Sequence, residues 1–118
     1  MIRHALWCHP AECCGLIAID SQRRVRMVYP LTNSERSPTR FTIEPGEHFG
    51  ALMHADGQGW EIGGVFHSHP AGEAILSSTD LAQPHDPAWV HVVVGLHPDI
   101  HLRAWHIQEG SPVELSVR

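Results

Sequence analysis

The sequence predicts an α/β fold in which a mixed β-sheet is sandwiched by helices. Short apolar runs with strand character recur along the chain, and two or three segments between them have helical spacing. Strands interspersed with helices favour a sheet with helices on its faces, and they leave the strand order open. A length of 118 residues with 42% hydrophobic residues fits one core, so residues 1–118 are predicted to form a single domain.

The first predicted elements are a short helix and a β-hairpin. Residues 1–9 have helical spacing and precede Pro10, which favours the end of a helix there. Two apolar runs, residues 14–19 and 25–29, are separated by a polar turn, which predicts a hairpin. Pro30 is expected to end the second strand because it cannot donate a hydrogen bond to a ladder.

A strand and a second helix are predicted next. Residues 40–43 alternate between polar and apolar side chains, so Phe41 and Ile43 are expected to face the core. Residues 44–47 are typical of a helix start, and residues 57–59, with two glycines, are expected to end that helix. The apolar face of this helix is predicted to consist of Phe49, Leu52 and Met53.

The C-terminal half is rich in strand patterns. Residues 62–69 form a largely apolar run that a proline follows, which favours a short buried strand. Residues 89–96 are dense in valine, as expected of a central strand buried on both faces. A turn is expected at residues 85–87, and further strands are predicted over residues 100–107 and, at a sheet edge, 113–117.

The end of the 62–69 run and the segment after it contain the candidate functional residues. Strand side chains alternate, so His67 and His69 point to one face, while Ser68 points to the other and is expected to pack or to bond the backbone. Ser77-Ser78-Thr79-Asp80 is typical of the first turn of a short helix, which Pro84 is expected to end. That turn can bring its carboxylate towards the two histidines.

Two imidazoles and one carboxylate form a three-ligand set for a cation. Catalytic Zn²⁺ is often held in this way and leaves its fourth position to water, whereas a structural site would need a fourth protein ligand. His67, His69 and Asp80 are therefore the candidate metal ligands. Zn²⁺ lowers the pKa of its water towards about 7, which provides a nucleophile for an amide at neutral pH.

Simpler explanations exist for each part of this pattern. Histidine accounts for 11 of 118 residues, so about one His-x-His is expected from composition, and the other histidines are interpreted as solvated or as satisfied core residues. The spacing of Ser77 and Asp80 is also that of a helix N-cap with a carboxylate in the first turn. Both roles of Asp80 can hold at once, and the conjunction of histidine pair, proline and acid favours a metal site.

Together these motifs resemble the signature of the JAMM or MPN-plus metalloproteases, which is His-x-His-Pro, six residues and Ser-x-x-Asp, with a glutamate far upstream. The matching segments are His67-Ser68-His69-Pro70, Ala71 to Leu76 and Ser77-Ser78-Thr79-Asp80. Upstream, residues 9–16 contain Glu12 and are similar to the Pro-x-Glu-x-Cys-Gly-Leu stretch of bacterial members. Residues 33–39 resemble the connector of stand-alone bacterial members that act on sulfur-carrier proteins.

The resemblance implies a fold similar to that of the cytidine deaminases, one Zn²⁺ per chain, and roles for two further residues. Glu12 would be the carboxylate beside the metal that moves protons during attack and release of the amine. Ser77 would donate a hydrogen bond to the developing oxyanion. The chain lacks the His-x-Glu and Pro-Cys-x-x-Cys motifs of a zinc deaminase.

The implied substrate is a small ubiquitin-like sulfur-carrier protein of the ThiS/MoaD type, cleaved after its C-terminal Gly-Gly to release cysteine or a short extension. The chain has no room for the insertions of eukaryotic deubiquitinases and looks like the minimal bacterial form. The groove is expected to take the tail as an added strand at an exposed sheet edge. Two alternatives stay open, an inactive scaffold subunit and a zinc dipeptidase acting on cell-wall peptides.

Composition and charge limit the partners and the compartment. The net charge of −5 and the scattered Lys and Arg offer no basic face, so nucleic acid is not an expected partner. No membrane span or secretory leader is visible, so a cytoplasmic location is expected. Three cysteines, two of them adjacent, predict reduced thiols, with Cys14 as a buried apolar side chain. The sequence leaves the oligomeric state open.

Overall fold

Six β-strands form one sheet in the computed structural model of the chain, which describes residues 1–83 and 86–116. The elements are α1 (Ile2–Cys8), β1 (Cys14–Ile19), β2 (Val25–Leu31), α2 (Pro45–Gly57), β3 (Glu61–His69), α3 (Ser78–Ala82), β4 (Val90–Gly95), β5 (His101–Gln108) and β6 (Ser111–Leu115). None of the helices in the described part of the chain has the length and hydropathy that a membrane span requires.

The sheet is mixed, as predicted. Its strand order is β2-β1-β3-β4-β5-β6. β1 pairs antiparallel with β2 and with β3, whereas β3 and β4 are parallel and are joined by a crossover that contains α3. β5 and β6 extend the sheet in antiparallel pairing. The two edges are therefore β2 and β6, and β3 lies in the interior of the sheet.

Helices α1 and α2 pack on opposite faces of the sheet. Ala5 of α1 lies in one buried cluster with Phe66. Ala51 of α2 lies in another cluster with Val65. Because neighbouring residues of a strand point to opposite faces, this division places the sheet between the two helices and confirms the predicted sandwich. His67 follows Val65 by two residues and shares the α2 face.

The apolar face predicted for α2 is wrong. Phe49, Leu52 and Met53 are 64%, 41% and 58% exposed, whereas Ala51 and Ala55 are buried. Small side chains allow the helix to lie close to the sheet, where a larger side chain would push it outwards. The buried face thus consists of alanines, which a ranking by hydrophobicity places below the larger apolar residues.

Two strand predictions also differ from the structure. Pro30 lies inside β2 instead of after it, since an edge strand accommodates a proline whose missing N–H the ladder does not need. Residues 40–43 form no strand, and a single bridge joins Ile43 to Asn33. The amide of Thr42 bonds to the Asn33 side chain instead of to a neighbouring strand. Both apolar side chains of the segment nevertheless pack against the core, as predicted.

The remaining elements match the predictions closely. β1 has the predicted bounds, α1 lies within residues 1–9, and β4 is buried along almost its whole length, as a central strand should be. β6 begins at Ser111 and ends at Leu115. The expected helix end at Pro84, the expected turn residue His85 and the expected strand end at Val117 lie outside the described residues.

Candidate metal centre and active site

The end of β3 presents two histidines on one face of the sheet. β1 and β4 pair with β3 as far as His67 and His69, respectively, so ladders fix both residues. Ser68 points to the other face, where its hydroxyl accepts a 2.8 Å hydrogen bond from the Cys13 N–H. The predicted alternation and the backbone role of Ser68 are confirmed. Because both sides of β3 are paired here, the strand has no open edge at which a tail could be added.

Helix α3 brings a carboxylate to these histidines. Ser77 Oγ accepts a 3.1 Å hydrogen bond from the Asp80 N–H, and Asp80 Oδ2 accepts a 2.9 Å bond from the Ser77 N–H. This reciprocal pair is a capping box, and it confirms the predicted N-cap. The two bonds fix the direction in which the Asp80 carboxylate points.

Three candidate ligand atoms converge beside α3. Asp80 Oδ2 lies 3.1 Å from Nε2 of His67 and from Nε2 of His69, and the two nitrogen atoms lie 3.2 Å apart. Atoms bound to a tetrahedral zinc ion at 2.0–2.1 Å are separated by about 3.3 Å. The three atoms therefore have nearly the spacing of one face of such a tetrahedron, and these residues can hold a metal ion.

Neighbouring groups orient the two imidazoles. His69 Nδ1 donates a 2.8 Å hydrogen bond to the Glu73 carbonyl, so that in the neutral ring the proton is on Nδ1 and Nε2 carries the lone pair that a metal ion would use. The ring of His67 stacks on Phe41 with the ring centroids 4.7 Å apart. Each Nε2 is thus held in place by contacts that do not depend on an ion.

Burial and hydrogen bonding adjust the protonation of the three residues. Burial lowers the pKa of His67 in spite of the neighbouring carboxylate and favours a neutral ring. Burial also opposes the charge on His69, but its bonds to Asp80 and to the Glu73 carbonyl raise its pKa overall. The pKa of Asp80 falls well below its ordinary value, because hydrogen bonds from both histidines outweigh its burial. An ionised carboxylate and a neutral imidazole are metal-binding forms.

Glu12 lies beside this group. Extending the β1–β3 register from Cys14 and His67 by two residues places Glu12 opposite His69, on the same face. Glu12 is 3% exposed, and its Oε1 has no hydrogen-bond partner within residues 1–83 and 86–116. Burial raises the pKa of this carboxyl to about 8, with His69 lowering it and Asp80 raising it further. A buried carboxyl with a raised pKa therefore lies next to the candidate ligands.

The loop between the histidine pair and α3 is anchored by β5. The Ala74 N–H donates a 2.8 Å hydrogen bond to His101 Nε2, and the Ala74 carbonyl accepts a 3.0 Å bond from the Trp105 indole. Gly95 permits this arrangement, because a Cβ there would collide with the His101 ring. The ring of His101 is hydrogen-bonded, as interpreted from the sequence. The sequence did not predict that this ring anchors the loop. No local pattern indicates it, since it joins residues 27 positions apart.

Two recesses flank the ligand group. The first, the Phe41 recess, has a volume of about 300 Å³ and is lined by Leu16, Phe41, Thr42, Ile43, His48, Val65, His67, Asp80, Gln83, Trp89 and His91. The second, the Glu12 recess, has a volume of about 230 Å³ and is lined by Glu12, Pro38, Thr39, His69, Pro70, Ala71, Gly72 and Ser77. The candidate ligands border both recesses. A bound peptide that extends from one recess into the other would therefore pass over these ligands.

The cysteines have the structural character that the sequence predicts. All three are free thiols, and Cys13 and Cys14 are fully buried. Burial raises the pKa of Cys14 to about 12, and its Sγ contacts the Leu31 carbonyl at 3.8 Å. A protonated, buried thiol of this kind behaves as a small apolar side chain.

Sequence similarity to known proteins extends over most of the chain. A profile of the family described as prokaryotic homologs of the JAB domain matches residues 1–108. A CysO-cysteine peptidase from Mycobacterium tuberculosis is 36% identical over 121 residues, which cover 97% of this chain and 80% of the relative. A desampylase from Haloferax volcanii is 31% identical over 110 residues, which cover 92% and 78%.

Solved structures share the fold. The solution structure of a protein from Desulfitobacterium hafniense has a TM-score of 0.85 and 33% identity, covering 98% of this chain and 82% of that one. A JAB1/MPN domain protein from Archaeoglobus fulgidus has a TM-score of 0.57 and 20% identity, covering 97% and 86%. A structure described as JAMM, a metalloprotease-like zinc site in the proteasome and signalosome, has the same score and identity and covers 99% and 86%. These likenesses confirm the predicted JAMM/MPN fold.

The buried carboxyl of Glu12 should make the stability of the metal-free protein depend on pH. The folded state keeps this carboxyl protonated up to about pH 8, whereas the unfolded chain releases the proton near 4.5. The contribution of Glu12 to the free energy of unfolding should therefore fall as the pH rises through this window, with the lowered pKa of His67 acting in the opposite direction. Glu12→Gln cannot titrate and should lose less stability over the same window, by on the order of a few kcal/mol.

Urea unfolding in the presence of a chelator, at steps from about pH 5 to about pH 8, measures this difference. Glu61→Gln removes an exposed carboxylate at the other end of β3 and serves as the matched control. Its free energy of unfolding should depend on pH in the same way as that of the wild type. The same pH dependence in Glu12→Gln as in the wild type would contradict a raised pKa for Glu12.

Proposed function

The chain belongs to the family of prokaryotic homologs of the JAB domain, and from this premise we propose that it is a zinc metallopeptidase. In this proposal it cleaves the amide bond after the C-terminal Gly-Gly of a small ubiquitin-like sulfur-carrier protein and releases cysteine or a short extension. The observation that carries the proposal is the convergence of His67, His69 and Asp80 next to the buried carboxyl of Glu12. The names of the CysO-cysteine peptidase and the desampylase support the same class of substrate.

His67, His69 and Asp80 would hold one Zn²⁺ per chain. Two imidazole nitrogens and a carboxylate oxygen suit this ion, and three protein ligands are typical of a catalytic site. Held there, the ion would supply Lewis-acid chemistry, namely polarisation of a carbonyl and activation of water near neutral pH. The environment of these ligands supports the assignment, because an ionised Asp80 carboxylate and a buried neutral imidazole favour a cation.

Glu12 moves the proton in the proposed reaction. Its carboxylate takes a proton from the attacking water and delivers it to the leaving amine, so one residue serves both steps. In the metal-free protein burial raises the pKa of this carboxyl to about 8, and a cation held beside it would favour the ionised form that accepts the proton of water. The register places Glu12 opposite His69, beside the ligand set and not within it.

Ser77 donates the hydrogen bond that stabilises the oxyanion. Its Oγ already accepts the Asp80 N–H, which fixes the oxygen atom and leaves the hydroxyl proton available. Ser77 is exposed and lines the Glu12 recess. A donor that is held in advance requires little reorganisation when negative charge develops on the substrate.

The extended tail of the carrier occupies the Phe41 recess. Since β3 has no open edge here, the tail pairs instead with the short extended segment at Ile43. The bridge between Ile43 and Asn33 uses the main-chain groups of their neighbours, so the N–H and C=O of Ile43 point to the other side. Main-chain pairing of this kind accepts glycines, which bring no side chain to the metal centre.

The released residue occupies the Glu12 recess. The leaving amine must receive the proton that Glu12 carries. The part of the substrate that is released therefore lies in the recess that Glu12 lines. Ala71 and Gly72 form part of the wall, and the volume of about 230 Å³ accommodates a cysteine or a short extension. The tail and the released residue therefore lie on opposite sides of the candidate ligands.

We also propose a cytoplasmic location for the enzyme and a single domain. We place it in the cytoplasm, because free thiols persist in reducing compartments and the three cysteines are free. We treat residues 1–118 as one domain, which is supported by the single sheet that contains the six described strands. Nucleic acid and membranes are not part of the proposal, and the oligomeric state is left to experiment.

Cleavage of an extended carrier tests the proposal. A ubiquitin-like sulfur carrier with one or two residues beyond Gly-Gly is incubated with the zinc-loaded protein, and its intact mass is measured. Loss of only the extension is expected, and a chelator should prevent it. Glu12→Gln should keep the metal and lower kcat by about 10²- to 10⁴-fold, the usual contribution of general acid–base catalysis.

Three outcomes would count against this account. No cleavage of several carriers by zinc-loaded protein would contradict the carrier specificity, and cleavage of a cell-wall dipeptide in a parallel assay would favour the dipeptidase alternative. A protein that binds no zinc would favour the scaffold alternative. Full activity in Glu12→Gln, compared with Glu61→Gln as the control, would remove Glu12 from the mechanism.

Replacement of Ser77 should separate capping from catalysis. Ser77→Ala is expected to lower kcat by about 10²-fold and to cost about 1 kcal/mol of stability, because both the oxyanion donor and the N-cap are lost. Ser77→Thr keeps a hydroxyl for both tasks and should retain most of the activity. Ser78→Ala alters the next, exposed serine and should change neither property. Steady-state kinetics and urea unfolding measure both effects, and an unchanged kcat in Ser77→Ala would restrict Ser77 to capping.

A further inference from the structure

Asn33 makes a complete set of side-chain hydrogen bonds in the connector, which we define as residues 32–44 between β2 and α2. Asn33 is 6% exposed. Its Nδ2 donates to the carbonyls of Glu12 and Arg40 at 3.1 and 2.9 Å. Its Oδ1 accepts from the N–H groups of Glu35 and Thr42 at 3.0 and 3.1 Å. These four bonds use both amide hydrogens and both lone pairs of the carboxamide oxygen.

The main chain of Glu12 depends on this connector. Glu12 precedes β1, so no ladder holds it. Its N–H donates a 2.8 Å bond to the Ser37 carbonyl, and its own carbonyl accepts the 3.1 Å bond from Asn33. Within the part of the chain that the structure describes, no other hydrogen bond to the Glu12 main chain is found. The direction in which its carboxyl points is therefore set by the shape of the connector.

We propose that Asn33 is a positioning residue that holds the carboxyl of Glu12 at the metal centre through the Glu12 carbonyl. This inference rests on the function proposed for Glu12 above. Only the Nδ2 group reaches the Glu12 carbonyl, whereas Oδ1 shapes the connector itself. The nitrogen and the oxygen of the Asn33 carboxamide thus link the main chain of Glu12 to the connector.

The same side chain also shapes the wall of the Phe41 recess. Its bonds to Arg40 and Thr42 flank Phe41 on both sides along the chain, and Phe41 stacks on His67. Asn33 therefore connects the residue that moves the proton with the aromatic ring that supports one candidate ligand. The Asn33 side chain is buried and its four bonds are buried or partly buried, so water does not easily replace them when they are removed.

The kinetic test uses two replacements and a matched control in the zinc-loaded protein. Asn33→Asp preserves the shape and the acceptor but loses both donors, and Asn33→Ala loses all four bonds. Both variants should lower kcat by about 10²-fold, because a displaced proton carrier lowers turnover, and KM should change by less than about threefold in Asn33→Asp, which keeps the bond from Thr42 beside the Phe41 recess. Ser34→Ala removes an exposed hydroxyl that bonds Thr42 and does not touch Glu12, so it should match the wild type.

A double variant shows whether Asn33 acts through Glu12. In the Glu12→Gln background, Asn33→Ala should cause no further loss of kcat beyond about twofold. A merely structural role would lower activity to the same extent in both backgrounds. An undiminished kcat in Asn33→Ala, or the full loss in the Glu12→Gln background, would overturn the proposal.

Residue-resolved amide hydrogen exchange provides a readout that does not need a substrate. In Asn33→Ala, the amides of Glu12, Glu35 and Thr42 should exchange at least about tenfold faster than in the wild type, while those in β3 stay unchanged. Asn33→Asp serves for this measurement if Asn33→Ala does not fold, with Glu12 as the deciding amide. Unchanged exchange at Glu12 would overturn the positioning role. If exchange changes as expected but no carrier is cleaved by the wild type, the proposed function fails and the tie between Asn33 and Glu12 stands.

Discussion

The carboxylate of Asp80 is the point on which the candidate site depends. One of its oxygens accepts the Ser77 N–H and lies 3.1 Å from Nε2 of both histidines, so the capping of α3 also fixes the third candidate ligand. The crossover that leads to α3 is held in turn by the bonds between Ala74 and β5. The contacts that hold this crossover therefore also bring the Asp80 carboxylate to the two histidines.

The site contains two carboxyl groups whose surroundings drive their pKa values apart. Hydrogen bonds from two histidines keep Asp80 ionised, whereas burial without a partner at Oε1 raises the pKa of Glu12 to about 8. Such a division separates a group that stays charged from one that exchanges a proton. The metal ligation proposed for Asp80 and the proton transfer proposed for Glu12 agree with these two environments.

Prediction from the sequence succeeded where the interactions are local. The histidine pair and the cap between Ser77 and Asp80 join residues two and three positions apart, so spacing alone located them. The buried face of α2 was not predictable in this way, because hydrophobicity does not show how closely a helix must approach the sheet. The ties of Asn33 to Glu12 and of Ala74 to β5 join residues at least 21 positions apart, and only the folded topology brings them together.

A single Zn²⁺ is proposed to bind to His67, His69 and Asp80, without a cysteine. The most direct measurement is X-ray absorption at the zinc edge of the loaded protein, combined with its zinc content. The account predicts about one zinc per chain, with nitrogen and oxygen neighbours at about 2.0–2.1 Å and the outer scattering of imidazole. A sulfur neighbour at about 2.3 Å, or undiminished zinc binding in a variant that combines His67→Ala and Asp80→Asn, would contradict it.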